Sequence, residues 1–291
     1  MSDHAWAVQV PASSANLGAG FDVLGMALTL HAEVGTGPPP ERARAAEPRH
    51  PATVAFAQAG GSGDLWVRSP IPMGRGLGFS GAARVGGAAA AHVQQHGPDA
   101  LHDDAVRAAV LEVAVDLEGH ADNAAASLYG GIVIAAGDTV TRVPLAVDPA
   151  VVVWVPDATT TSTDRSRTTL GDSVSRADAV FNLGRVAMFV AACATGDVAR
   201  LRAATEDRLH QSQRLAAVPD SAAALDAALD AGVWAAWLSG SGPTVAMLCE
   251  SARVDEVAAA LPPTGHTKSL RIDHEGATVT ATGAPASVGA V

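Results

Sequence analysis

Five short clusters hold most of the residues in this chain that could do chemistry. The first is Gly74-Arg75-Gly76-Leu77-Gly78-Phe79-Ser80-Gly81-Ala82-Ala83. Glycines let backbone N–H groups turn toward one point. A helix starting there adds its unpaired N–H groups and the positive end of its dipole. Together they can cradle phosphate without a lysine. No Lys-Ser/Thr pair follows, so this is not a Walker A loop. Taken alone, the run also reads as a tight turn with close helix packing. The second cluster is Glu118-Gly119-His120-Ala121-Asp122-Asn123. Glu118 suits Mg²⁺, which takes few carboxylates and completes its shell with phosphate oxygens. Asp122 can bind an ammonium group or act on a hydroxyl. The alternative is helix capping by Asp122 or Asn123, with Glu118 solvated. His120 is placed as a supporting group, and no His-Glu-x-x-His pattern occurs.

The third cluster runs from Pro11 to Asp22, where Asn16 and Asp22 lie on one loop after a strand. They can face one pocket or simply form Asx turns. The fourth is basic: Arg165 and Arg167 in a polar stretch, with Arg208 and Arg214 on a later helix. Arginine grips carboxylate through two parallel hydrogen bonds and stays charged when partly buried. The fifth, Ser239-Gly240-Ser241-Gly242-Pro243-Thr244, is a tight loop between two strands that can seat phosphate or substrate.

Composition narrows what these clusters can serve. The 291 residues are 48% hydrophobic and 17% charged, which excludes disorder as a global description. Thirty acids against 19 bases give a charge of −11, with Lys268 the single lysine. That balance argues against nucleic acid and against an anionic membrane surface as partners. Cys193 and Cys249 cannot build a disulfide framework or a four-thiolate zinc site, and read as buried, reduced thiols. No apolar run reaches the ~18 residues of a membrane span. The start, Met1-Ser2-Asp3-His4, lacks a signal-peptide pattern, so a cytoplasmic location is expected.

Elements that would position the clusters follow from periodicity. Strands are expected at Ala5–Pro11, Met26–Val34, Leu65–Arg68, Ile132–Ala136, Val151–Val155, Trp234–Leu238, Val245–Cys249, Ser269–Asp273 and Ala277–Thr282. Helices are expected at Ala52–Ala59, Ser80–Ala91, Asp99–Glu118, Ala121–Tyr129, Ala177–Ala194, Val198–Leu215, Ala222–Ala231 and Ala252–Leu261. Gly35–Pro51 and Thr159–Thr169 read as linker and polar loop. Mixed order without strict alternation favours an α+β fold. A boundary at Val147–Ala150 divides the chain into two domains, 1–148 and 149–291.

In order along the chain, Pro11–Leu28, Ile71–Ala83, Glu118–Gly131 and Leu238–Thr244 resemble the homoserine kinases of the GHMP kinase superfamily. Asp178–Leu183 and Asp207–Arg214 look like that family too. The resemblance implies an amino-terminal domain like ribosomal protein S5 domain 2 and a ferredoxin-like carboxy-terminal domain. ATP and substrate would bind between them, and ATP would phosphorylate the side-chain hydroxyl of L-homoserine. Pro72, Gly74, Arg75, Gly76, Leu77, Gly78, Phe79, Ser80, Gly81 and Ala82 match the phosphate loop. Ser80 and Glu118 match the Mg²⁺ ligands. Asn16 and Asp22 match residues that hold the substrate near its hydroxyl. Asp122, Asn123 and His120 match the acidic side of its pocket, and Arg167 and Arg214 the arginines for its carboxylate. A dimer is the family expectation.

Two features depart from the family pattern. Phe79 and Gly81 stand where serine and alanine are usual, with Gly81 expected to make room for the phenyl ring. The segment from Gly35 to Val67 is short for its adenine side. An L-threonine kinase and a non-catalytic ligand-binding protein on the same scaffold are the competing readings.

Overall fold

The computed structural model of the protein describes residues 6–157, 170–171 and 173–281. The first sheet is built on β1 (Trp6–Ala15) and β2 (Leu24–Thr36), which pair antiparallel along most of their length. β1 runs beyond the expected end at Pro11, with a register shift between Pro11 and Ala12. Ser13 and Ser14 resemble loop residues by composition, yet both are fully buried in this strand. Their hydroxyls are satisfied inside the protein, as described below, so the backbone stays extended. β2 then pairs β4 (Leu65–Arg68) near its end and β5 (Ile132–Ala136) near its start. The two-residue β3 (Arg44–Ala45) lies on β4, and β6 (Thr139–Arg142) on β5.

Helices α2 (Phe79–His96) and α4 (Asp122–Tyr129) pack on β1 and β2, with α1 (Pro51–Gln58) and α3 (Asp104–Glu118) beside α2. The buried side of α2 is glycine, alanine and one valine, from Gly81 to Ala91. Side chains this small let the helix axis approach the sheet closely, so the start of α2 is held firmly over β1.

The second sheet has the order β10 (Gly265–Leu270), β7 (Ala150–Pro156), β9 (Val245–Cys249), β8 (Ala235–Leu238), all antiparallel. Every residue of β7 is buried, as its unbroken apolar run predicts. Chain order β7, helices, β8, β9, α9 (Val254–Ala260), β10, with β7 between β10 and β9, is the ferredoxin-like arrangement. The helices between β7 and β8 are α5 (Arg176–Thr195), α6 (Leu201–Ala204), α7 (Gln211–Leu215) and α8 (Pro219–Asp230). β11 (Thr278–Ala281) then returns to pair with β1 in the first sheet. Asp273 secures that return: it takes the backbone N–H groups of Glu275 and Gly276 and contacts His31 Nε2 at 2.7 Å.

The structure corrects three expected elements. Asp99–Glu118 is a 3₁₀ turn (Pro98–His102) and then α3, which starts anew after the extended N-cap Asp103. Val198–Leu215 is not one helix: a 3₁₀ turn (Val198–Arg200), α6 and α7 are separated by an irregular turn around Asp207. The last strand of the second sheet is Gly265–Leu270 rather than Ser269–Asp273, because Asp273 is used as a turn acceptor. Thr159–Thr169, with Arg165 and Arg167, lies outside the described residues. Among the described residues one helix, α5, is long and apolar enough by length and composition to cross a membrane. It buries Asn182, Phe189, Ala192 and Cys193 in the core.

Burial pushes the Cys193 thiol up to about 12, and raises that of Cys249. Thiolate is the reactive form. Iodoacetamide at about pH 8 is therefore expected to leave both cysteines unmodified in the native protein and to label both in denaturant, read by intact mass. Labelling of Cys193 without denaturant would contradict its place in the core.

Candidate active site

A cleft of about 210 Å³ opens where the two sheets meet. Beneath it runs a buried line of hydrogen bonds. Trp237 Nε1 contacts Ser14 Oγ at 2.9 Å, Ser14 Oγ contacts Ser239 Oγ at 2.7 Å, and Ser239 Oγ contacts the Gly76 carbonyl at 2.6 Å. An indole can only donate and a carbonyl only accept. Ser14 must therefore donate to Ser239, and Ser239 to Gly76. The line joins β8, β1 and the glycine loop. Gly76 itself has φ +72°, and a Cβ there would lie 2.3 Å from the Ser239 carbonyl oxygen, so only glycine fits.

The loop runs into α2. Gly78, in the left-handed conformation, is its N-cap, and the first helical bond is from Ala82 N–H to the Gly78 carbonyl at 2.9 Å. The N–H groups of Phe79, Ser80 and Gly81 precede that bond and form the helix's positive end. Ser80 Oγ donates to Glu118 Oε2 at 2.9 Å, and Arg84 also pairs with that oxygen. Ser80 and Glu118 line the cleft together. A hydroxyl and a carboxylate side by side are the hard oxygen donors that suit Mg²⁺.

Beside the start of α2 the cleft is acidic. His120 Nδ1 lies 2.7 Å from Asp122 Oδ1, which also accepts the backbone N–H of Asn123 at 2.7 Å. The carboxylate accepts, so Nδ1 carries the hydrogen; in the neutral ring Nε2 is then the acceptor. That Nε2 is buried and has no partner among the described residues. Ligand atoms of Asp22, His120 and Asp122 lie within 4.8 Å of one another. Asn123 Oδ1 accepts from Ser13 Oγ at 2.9 Å, which fixes α4 on β1.

Asn16 and Asp22 hold the loop between β1 and β2. Asn16 Oδ1 accepts the Asp22 N–H at 3.1 Å, and Asn16 Nδ2 donates to the Gly240 carbonyl at 3.0 Å. Both residues have positive φ, 71° and 57°, which asparagine and aspartate tolerate best after glycine. Arg214 comes from α7 and also donates to the Gly240 carbonyl, at 3.1 Å. Its guanidinium lies over the Phe21 ring, 5.2 Å from the centroid.

Arg214 is aimed by a buried network. His210 Nε2 contacts the Gly18 carbonyl at 2.9 Å, and its Nδ1 contacts Arg214 Nη1 at 3.3 Å. With a carbonyl on one side and a guanidinium on the other, the ring is neutral: Nε2 donates and Nδ1 accepts. Burial lowers the His210 pKa, against the pull of Asp207. Asp207 accepts N–H groups from Leu209, His210 and Gln211 and the Asn182 amide. Burial works against ionisation there, but the backbone N–H groups of Gln211 and His210 and the Asn182 amide hold its carboxyl below the usual range.

Of the residues expected at the site, Asn16, Asp22, Pro72, Gly74, Arg75, Gly76, Gly78, Phe79, Ser80, Glu118, His120, Asp122, Asn123 and Arg214 line the cleft. Arg75 also donates to the Pro156 and Asp157 carbonyls, tying the loop to the end of β7. Leu77 and Ala82 do not line it: they are buried in the core behind the loop. Gly81 is not space for the phenyl ring. It faces α4, where a Cβ would meet that of Asn123 at 3.1 Å. Phe79 turns the other way, its ring edge-on to His50 at 5.8 Å. Arg167 lies outside the described residues. Sequence reasoning missed Arg84, which sits four residues after Ser80 on the same helix face, and the turn network of Asn182, Asp207 and His210.

Known proteins resemble this chain over most of its length. The family model described as GHMP kinases N terminal domain matches residues 45–131, and that described as GHMP kinases C terminal matches 189–266. The chain is 36% identical to a homoserine kinase of Desulfitobacterium hafniense, over 94% of this chain and 99% of that protein. It is 38% identical to one of Thermus thermophilus, over 90% and 94%. This chain belongs to the homoserine kinase family of the GHMP kinases. A solved homoserine kinase from Cytophaga hutchinsonii superposes with a TM-score of 0.81, at 22% identity and over 96% and 98% of the two chains, and so shares the fold. Phe79 brings no side-chain hydroxyl to the loop but keeps the backbone N–H that opens α2.

Two outcomes test the groundwork of the site. S14A leaves the buried Trp237 N–H and the Ser239 hydroxyl short of a partner, and is expected to cost about 1–3 kcal/mol in denaturant unfolding; a neutral result would break the hydrogen-bond line. The second concerns pH. Unfolded histidine titrates near ~6.5, and His210, His50 and His92 all lie below their ordinary value in the folded chain, chiefly through burial. Their contribution to stability is complete above that value and is lost as pH falls, because the unfolded chain then takes up protons that the folded chain refuses. The carboxyl of Asp207 acts in the same direction, but only below about pH 4. Tm should fall between about pH 7.5 and about pH 5.5, and H210N should shrink that difference. An undiminished difference would count against a neutral, buried His210.

Proposed function

We infer that the cleft binds ATP with Mg²⁺ and L-homoserine and transfers the γ-phosphoryl group to the side-chain hydroxyl, giving O-phospho-L-homoserine, a step toward threonine. One observation supports this above the others. A glycine loop opening a helix, the Ser80–Glu118 oxygen pair and the Asp22–His120–Asp122 cluster all face a single cleft in a homoserine kinase family chain.

Each part of the substrate pair has a fitting counterpart. Phosphates suit the N–H groups of the loop and of Phe79, Ser80 and Gly81, assisted by the α2 dipole. Ser80 and Glu118 would hold a divalent cation, whose chemistry there is to neutralise phosphate charge. The homoserine ammonium suits Asp122, Asp22 and the acceptor Nε2 of His120. Its carboxylate suits Arg214, whose geometry is fixed by His210, with Arg167 in the same role. Asp22, held by Asn16, orients the hydroxyl, and Asn123 lines the same cleft. Phosphoryl transfer depends on positioning and charge neutralisation rather than covalent chemistry by the protein. This constellation can supply both without a dedicated base.

Phe79 is compatible with that role because the phosphate donors at this helix start are backbone groups. Division into domains at 1–148 and 149–291, with β11 of the second crossing back to the first sheet, a cytoplasmic location and a homodimer belong to the same reading. Exposed Val180 and Leu183 on α5 offer a homodimer an apolar face.

The test is ADP release with Mg·ATP on L-homoserine, L-threonine, L-serine and mevalonate, with product mass confirmed. Turnover on homoserine alone is expected. Turnover on threonine instead would reassign the substrate, and homoserine binding without turnover would make this a binding protein. D22N is expected to lower kcat/KM for homoserine by about 10–100-fold while the KM for ATP stays within about twofold. Equal effects on both substrates would remove Asp22 from the substrate side.

A further inference from the structure

The Glu118 carboxylate is already engaged by a cation that the protein carries itself. Ser80 and Arg84 lie four residues apart on α2, so their side chains project from one helix face. Both reach Glu118 Oε2, the first by hydrogen bond at 2.9 Å and the second as an ion pair. Glu118 is the last residue of α3, where the helix dipole disfavours a carboxylate. Its side chain is only 9% exposed and that of Arg84 21%. A negative charge so placed needs a positive partner, and a guanidinium stays ionised across the working pH range.

This pairing bears on how anions enter the cleft. A polyphosphate arriving beside an unpaired carboxylate is repelled, and the α2 end opposes that repulsion with only about half a charge. Binding would then lean more heavily on a metal ion. With Arg84 in place the Ser80–Glu118 wall is neutral before any metal arrives. The same guanidinium occupies the carboxylate a metal would use.

We propose that Arg84 is a resident counter-cation of the phosphate site: it neutralises Glu118 in the empty cleft, competes with a divalent cation for that carboxylate, and lets a nucleoside di- or triphosphate bind without metal. This role rests on the nucleotide reading of the cleft and adds to it a residue that acts on charge.

Two titrations of the full-length protein decide it. In the first, ADP is titrated calorimetrically into wild type and R84Q, in excess EDTA and in saturating Mg²⁺. Wild type should bind ADP in both, with affinities within about tenfold of each other. R84Q should lose about tenfold or more in EDTA and change by less than about threefold with Mg²⁺. In the second, Mn²⁺ is titrated into nucleotide-free protein and followed by electron paramagnetic resonance. R84Q should bind Mn²⁺ at least about fivefold more tightly than wild type, and R84K should stay close to wild type. A purely structural arginine would instead lower Tm and weaken every affinity together, leaving the metal dependence unchanged, and that pattern overturns the role. R84M replaces R84Q should the latter not fold. ADP binding to neither protein in either buffer would sink the nucleotide reading, while the Mn²⁺ titration would still decide whether Arg84 shields Glu118.

Discussion

The cleft depends on a directed line of hydrogen bonds that crosses from one sheet to the other. The Trp237 indole can give only one hydrogen and the Gly76 carbonyl can give none, so the two serines between them have no choice of orientation. Buried donors and acceptors are costly to leave unmade, and a fully satisfied chain rigidifies its surroundings. This line sets the distance between the second sheet and the glycine loop. Gly240 tightens the same junction, donating its N–H to the Ala15 carbonyl and accepting from Asn16 and Arg214. The floor of the cleft and the joint between the sheets are thus one structure.

Charge in the cleft follows a similar economy. The chain has 19 basic residues against 30 acids, and three of its arginines stand at this one place. Arg75 anchors the loop to β7, Arg84 meets Glu118, and Arg214 is held between Gly240, His210 and the Phe21 ring. None relies on solvent for its position. Groups fixed before the ligands arrive need little reorganisation in a transfer reaction, where positioning and electrostatics supply most of the rate. His210 shows how far this goes. Its neutral, buried ring stacks 5.1 Å from Phe21 and links Gly18 to Arg214, so a residue with no place on the cleft wall still sets the angle of one that has.

Legibility in the sequence followed the range of the interactions. β7, α4 and Leu65–Arg68 were readable because a local apolar run or period decides them. The cleft residues were readable where a short motif holds both the backbone geometry and the chemical group, as in Gly74–Ser80 and Glu118–Asn123. Long-range satisfaction was not. Ser13 and Ser14 look like loop residues until Asn123 and Ser239, more than a hundred positions away, take their hydroxyls. The helix expected over Val198–Leu215 breaks because Asp207 gathers four donors, which no periodicity records. Arg84 was open to view as Ser80 plus four, but its meaning required knowing that α3 ends beside it.

The two departures from the expected pattern in the glycine loop then have separate physical accounts. Gly81 answers a packing demand from α4, where even a methyl group would press on Asn123; it is not a response to its bulky neighbour. Phe79 occupies the first helical position, where the useful group is the main-chain N–H and the side chain is directed toward His50. A side chain without a hydroxyl at that point leaves the backbone N–H groups of the helix start in place, and Ser80, the hydroxyl that meets Glu118, is present. A loop built on backbone donors can exchange one side chain and still present the same positive end, provided that its glycines and the carbonyl grip on Gly76 are kept. In this chain both are.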